Sequence, residues 1–195
     1  MKVLIDNGHG ENTLGKCSPD KRIREYKWAR DVADLLVKAL KAQGIEAERI
    51  VTEETDISLK ERTRRVNTIC AINKNVILIS LHLNASGADG KWHNASGWSG
   101  WIAPKASEKS KRLASLLLDE AIRLGLKGNR AIPNEKYWVG NFAIVRDTKC
   151  PAVLTENLFQ DNEGDCKVIE SAEGKQKIVT LHVNAIKEYI KAYGG

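Results

Sequence analysis

The chain has 195 residues, 42% of them hydrophobic, and a formal net charge of +6. That length suffices for one sizeable core and is short for two ordinary domains, so a single domain over residues 1–195 without a separate wall-binding module is expected. The longest apolar runs, such as Val76–Ile79 and Leu116–Leu118, are far too short to cross a bilayer, which excludes a transmembrane helix.

In chain order, Val3-Leu4-Ile5 forms a first strand that ends in the polar turn Asp6-Asn7-Gly8-His9-Gly10. Val32, Leu35, Leu36, Ala39 and Leu40 then recur at helical spacing and Gly44 supplies a stop, predicting a helix over residues 25–43. A second strand is expected over 45–51. A helix opening at Ser58 carries Leu59, Val66, Ile69 and Cys70 on its apolar stripe, and the basic residues of KERTRR are expected to form its solvated face. Residues 76–82 are apolar almost throughout, the pattern of a strand buried on both faces, and this run too ends in a histidine, His82. A stretch rich in glycine and tryptophan over 87–101, with Trp98 and Trp101 in a strand, leads into a helix bearing Leu113, Leu116, Leu117, Ala121 and Leu124. A loop over 125–141, strands over 142–146 and 152–156, and a last helix with Ile178, Leu181, Ala185, Ile186 and Tyr189 complete the chain. Strands alternating with amphipathic helices predict an α/β fold: one three-layer domain whose mostly parallel, twisted sheet is flanked by helices on both faces.

Ligands of such sheets sit beyond the carboxyl ends of the strands. Those ends offer Asp6 to His9, His82 and Glu156, and Glu25 at the start of the first helix can turn back toward the same edge. Two imidazoles with carboxylates on one rim suit a catalytic zinc ion, which takes three nitrogen or oxygen ligands and keeps one position open. The spacing alone is not diagnostic, since no HExxH is present, and Glu11 competes with Glu25 for the carboxylate position. Among the other candidates, His182 has the helical neighbours of a half-buried core histidine. His93 either lines a substrate groove or sits in an exposed loop, and Trp92, Trp98, Trp101 and Trp138 either stack on substrate or pack. Four cysteines, at 17, 70, 150 and 166, have no CxxC spacing, so neither a structural zinc cluster nor a disulfide framework is expected.

Five motifs in order then carry a resemblance: Asp6-Asn7-Gly8-His9-Gly10; Glu25 in REYKWARDVADLL; Leu59, Arg62 and Asn67 in ISLKERTRRVN; Ser80-Leu81-His82-Leu83-Asn84-Ala85; and Pro151 to Glu156 followed by Asn162 in CPAVLTENLFQDN. From the first strand to the last helix the chain resembles the catalytic domain of the zinc-dependent N-acetylmuramoyl-L-alanine amidases, the amidase type 3 family. The resemblance implies one zinc ion held by His9, Glu25 and His82, and Glu156 as the catalytic carboxylate. It implies hydrolysis of the amide between the lactyl group of N-acetylmuramic acid and L-alanine in peptidoglycan, an anionic substrate compatible with the positive charge. Asn84 then either hydrogen-bonds substrate or orients His82, His93 is a further substrate candidate, and Asp6 is the expected partner that orients His9. The sequence departs from the family pattern at Asn7, where proline is common, at Glu11, where glycine is common, and at Asn157-Leu158-Phe159, which replaces a glycine-containing pair. It leaves no room for the helical insertion that occludes the site in some members, so constitutive activity is expected.

The expected partner is peptidoglycan, with neither nucleic acid nor membrane, and the protein is expected to be a monomer. With no secretory signal before the first strand, cytoplasmic synthesis and action on the cell wall are expected. A holin, as for a phage endolysin, provides one route to the wall, and a shortened form of an exported protein is the alternative. Two other readings stand beside this one: a zinc peptidase cutting within the stem peptide, and a non-catalytic basic module binding cell wall or nucleic acid.

Overall fold

A computed structural model describes residues 1–194. The chain runs β1 (Lys2–Asn7), α1 (Glu25–Ala42), β2 (Glu46–Arg49), α2 (Leu59–Ile72), β3 (Val76–Asn84), β4 (Trp98–Ile102), α3 (Glu108–Arg123), β5 (Trp138–Val139), α4 (Ala143–Arg146), β6 (Ala152–Phe159), α5 (Glu163–Glu170) and α6 (Ala172–Tyr193). The six strands form one sheet in the order β2-β1-β3-β6-β4-β5. β2, β1, β3 and β6 are mutually parallel; β4 runs antiparallel to β6, and the short β5 is parallel to β4. Among the described residues no helix is long and apolar enough to cross a membrane.

Alternation along the strands divides the interior into two cores, because successive strand side chains point to opposite faces. Val3 and Ile5 of β1 and Ile77, Ile79 and Leu81 of β3 join Trp28 and Leu36 of α1, Leu113 and Leu117 of α3, and Leu181 and Ile186 of α6. Leu4, Val76, Leu78 and Leu154 face the other way, toward Val66 and Cys70 of α2 and Ile144 and Val145 of α4. Helices therefore cover both faces of the sheet, as the sequence predicts. Their starts are fixed by side chains that satisfy free backbone N–H groups: Ser58 accepts from Glu61, Ser107 from Ser110, Asn162 from Asp165 and Ser171 from Gly174.

Three expectations are corrected. Residues 142–146, expected as a strand, form the single turn of α4, where adjacent Ile144 and Val145 are both buried. The expected loop over 125–141 contains β5, whose Trp138 pairs with Trp101. Helix α5, absent from the reading of the sequence, packs Cys166 and Ile169 into the larger core.

Side by side in the sheet, β1, β3 and β6 bring their carboxyl ends to one rim, with Asp6 opposite Ser80, Asn7 opposite Leu81, and His82 opposite Glu156. Directly beyond that last pair the register shifts and Asn84 aligns with Phe159, so β6 carries one extra residue. This bulge contains Leu158 at φ +74°, a backbone conformation that favours glycine, and the side chain is nonetheless 3% exposed. The departure from a glycine-containing pair thus falls on the bulge that ends the β3–β6 pairing.

Candidate metal centre

His9 enters the rim through a backbone that the sequence equips for a tight turn. Its φ is +59°. A side chain at Gly8 would run into the His82 ring, and one at Gly10 into the backbone of Thr55 and Asp56. The unusual conformation is held by two buried arginines that donate to the His9 carbonyl, Arg30 Nη1 at 3.1 Å and Arg62 Nη2 at 3.2 Å. Arg62 also donates to Asp6 Oδ1 at 2.6 Å, to the Asn7 carbonyl at 2.8 Å and to Asp56 Oδ1 at 2.8 Å. Ser80 Oγ donates to the second Asp6 oxygen at 2.6 Å. Asp6 therefore partners Arg62 and Ser80 rather than His9, and its influence on His9 passes through Arg62. The expected solvated face of KERTRR is corrected at the same residue: Arg62 is 2% exposed.

Glu25 stands in the first turn of α1, set there by its N–H bonding to the Lys16 carbonyl and by the Cys17–Arg24 bridge just before it. Its carboxylate is buried and reaches both imidazoles, with Oε1 at 3.0 Å from His82 Nδ1 and 3.4 Å from His9 Nε2. Leu83 N–H donates to the same oxygen at 3.0 Å, and Gln160 Nε2 approaches Oε2 at 3.4 Å. The two rings meet edge to face, 5.1 Å apart. Burial pushes the Glu25 pKa up, but the neighbouring imidazoles outweigh it and hold the carboxyl well below the usual carboxylate range. Burial opposes the charge of His82, and Glu25 overrides it, raising the His82 pKa. One ligand atom from each of His9, Glu25 and His82 lies within 4.8 Å of the others. Two nitrogens and one carboxylate oxygen converging in this way match the donor set of a catalytic zinc site with one position left free.

Glu156 completes the group from the opposite strand, its Cα paired with that of His82. Its Oε2 is buried without a hydrogen-bond partner. Burial raises its pKa to about 7; His82 opposes the rise, Glu25 adds to it, and Lys16 and Arg130 oppose it more weakly. A carboxyl with an unpartnered oxygen that titrates near neutrality can both take and give a proton, the property required of a general base that later serves as an acid.

The other candidates fall outside this group. Glu11 is exposed and not among the converging ligands. Asn84 Oδ1 accepts from Ala85 N–H at 2.9 Å and so caps its own turn. His93 Nε2 lies 2.9 Å from Asp89 Oδ1, and its backbone N–H and carbonyl bond Asp161 and Asn162, which makes it a fastener of the β3–β4 connection. His182 is fully buried rather than half-buried, with ring nitrogens 2.8 Å from the Ile178 carbonyl and 3.3 Å from Thr155 Oγ1. Trp98 is core, its indole N–H donating to Asn157 Oδ1, whereas Trp101 and Trp138 face each other at 6.2 Å. Supporting residues missed in the sequence are Arg30 and Gln160, charged and polar side chains whose burial comes only with partners distant in the chain.

The model of one protein family, described as N-acetylmuramoyl-L-alanine amidase, matches residues 3–188. The chain is 24% identical over 186 residues to the N-acetylmuramoyl-L-alanine amidase CwlM of Bacillus licheniformis, covering 95% of this chain and 67% of that protein. It is 25% identical over 191 residues to LytH of Staphylococcus aureus, named a probable cell wall amidase, covering 97% of this chain and 58% of LytH. The chain thus spans about two thirds of the one relative and somewhat over half of the other. The crystal structure of an N-acetylmuramoyl-L-alanine amidase from Clostridium difficile 630 superposes with a TM-score of 0.84 at 26% identity, covering 98% of this chain and 97% of that one. Matched by the family model over nearly its whole length and by an amidase crystal structure in fold, the chain belongs to the type 3 family of N-acetylmuramoyl-L-alanine amidases.

Proposed function

We propose that this chain hydrolyses the amide joining the lactyl group of N-acetylmuramic acid to L-alanine in peptidoglycan, using one zinc ion held by His9, Glu25 and His82, with Glu156 as general base and then acid. The observation that carries the reading is the pairing of His82 with Glu156 across β3 and β6, which sets an unpartnered carboxyl oxygen beside three converging metal-ligand side chains. A zinc ion bound there supplies a Lewis acid that polarises the scissile carbonyl and makes water a nucleophile near neutral pH. Glu156 takes the proton from the attacking water and passes it to the departing amine nitrogen, so that one residue serves both half-reactions. Arg30 and Arg62 hold the His9 turn in place, and Gln160 and the Leu83 N–H fix Glu25, so the ligands are positioned before the metal arrives.

Metal content and turnover, measured together on two variants, separate the roles. Glu156→Gln is expected to keep stoichiometric zinc while activity falls by about 10²- to 10⁴-fold. His82→Ala is expected to lose both. Full activity in Glu156→Gln would remove the proposed base, and retained zinc in His82→Ala would remove the proposed ligand.

A further inference from the structure

Arg130 is a cation of this rim that the proposed reaction does not use. It comes from the connection between α3 and β5, and its guanidinium carbon lies 5.1 Å from the ring centroid of Trp138, 5.7 Å from that of Phe159 and 5.8 Å from that of Trp101. Its Nη1 donates to Ser99 Oγ at 3.0 Å. Ser99 is the direct cross-strand partner of Glu156 in the antiparallel β4–β6 pair. Opposed residues in such a pair put their side chains on the same face, so the guanidinium is fastened beside the proposed base. A planar guanidinium stacks on aromatic faces as an ammonium does not, and three rings with one hydroxyl leave it little freedom to lose on binding.

The other two arginines that support this site have carboxylate partners, Glu54 for Arg30 and Asp6 with Asp56 for Arg62. Arg130 has none within ion-pair distance among the described residues, and its one hydrogen bond there is to Ser99. A half-buried guanidinium with donors to spare accepts a carboxylate through two parallel hydrogen bonds. A carboxamide offers one acceptor oxygen and sets an NH2 donor against the second guanidinium donor, so it fits the same place poorly.

We propose that Arg130 is a specificity residue: it binds the free carboxylate of the acidic residue that follows L-alanine in the peptide stem, and so discriminates such stems from those amidated at that position. The inference deepens the amidase reading above and rests on it. The Arg130 guanidinium also opposes the negative charge of Glu156, which would otherwise repel an anionic stem from the rim.

The test uses two synthetic stem tripeptides blocked as C-terminal amides and differing only in whether the second residue carries a carboxylate or a carboxamide. Binding to the intact protein is followed by tryptophan fluorescence, for which Trp101 and Trp138 are adjacent reporters. The wild-type protein is expected to bind the carboxylate peptide about 10- to 100-fold more tightly. Arg130→Gln is expected to bring the two within about 3-fold of each other, and Arg130→Lys to restore only part of the preference. On muropeptides the same preference is expected in KM, with kcat little changed. Equal binding of the two peptides by the wild-type protein overturns the inference even if the variants do not fold, as does a folded Arg130→Gln that keeps the preference. Stem discrimination without lactyl-amide hydrolysis would sink the reaction proposed above and leave this inference standing; hydrolysis blind to amidation would do the reverse.

Discussion

At His9 a backbone that side-chain-bearing residues avoid is made tenable by two arginines arriving from different helices, Arg30 from α1 and Arg62 from α2. Arg62 carries the larger burden because it binds Asp6, Asn7, His9 and Asp56 at once from a position 2% exposed. Removing one partner of a buried ion pair strands the other charge, so Arg62→Ala is expected to cost about 3–5 kcal/mol in urea unfolding. Arg65 in the same basic run pairs with Glu53 and Glu61 at the partly exposed surface, where screening leaves Arg65→Ala a loss below about 1 kcal/mol. Equal losses in the two variants would contradict this division. The contrast also marks where sequence reasoning stops. His9, Glu25, His82 and Glu156 are legible because they end apolar strands or match spaced motifs, but Arg62 and Arg65 sit in one charged run and differ only in what lies across the fold.

Among elements, the alternation of apolar strands and amphipathic helices was legible because buried parallel strands leave continuous hydrophobic runs. The errors occur where the pattern is too short to have a period. Phe142-Ala143-Ile144-Val145 suits one turn of helix as well as a strand, and packing against α2 decides for the helix. Nor does a hydrophobic pattern encode strand direction, so the antiparallel β4, which brings Ser99 opposite Glu156, was not accessible from composition or spacing. The β6 bulge tests the energetic balance at this scale. Leu158→Gly would relieve a left-handed conformation costing about 1–2 kcal/mol, but it would remove a buried side chain worth about 2–5 kcal/mol. A net loss of about 1–3 kcal/mol is therefore expected in thermal or urea unfolding, and a stabilised variant would show that strain outweighs packing here.

Across the whole molecule, His182 ties α6 to the strand beneath the site, and its environment predicts acid sensitivity. Burial pushes its pKa down to about 4 from an ordinary value near 6.5, so the folded state favours the neutral ring. Its contribution is fully present above about pH 6.5 and is lost as pH falls toward 4, on the order of 3 kcal/mol in total. The Glu25 carboxyl, held below its ordinary range, adds a loss only below about pH 4.5, which separates the two windows. Glu156, raised to about 7, changes stability in the opposite sense over the same range, so the comparison is made between proteins that share it. From pH 7 to 4.5 the stability of the wild-type protein is expected to fall relative to that of His182→Gln, and parallel curves would remove His182 as the cause. Both sheet faces, the two cores and the rim at the ends of β1, β3 and β6 serve one outcome, a single place where the proposed ligands His9, Glu25 and His82 lie beside the strand that carries the proposed base Glu156. The most direct test of that outcome is mass spectrometry of purified peptidoglycan digested by this protein with and without a zinc chelator. The account predicts free stem peptides with an L-alanine amino terminus and glycan retaining its lactyl groups, both abolished by chelation and restored by zinc. Cleavage within the stem while the lactyl amide survives, or lactyl-amide cleavage indifferent to the chelator, would contradict it.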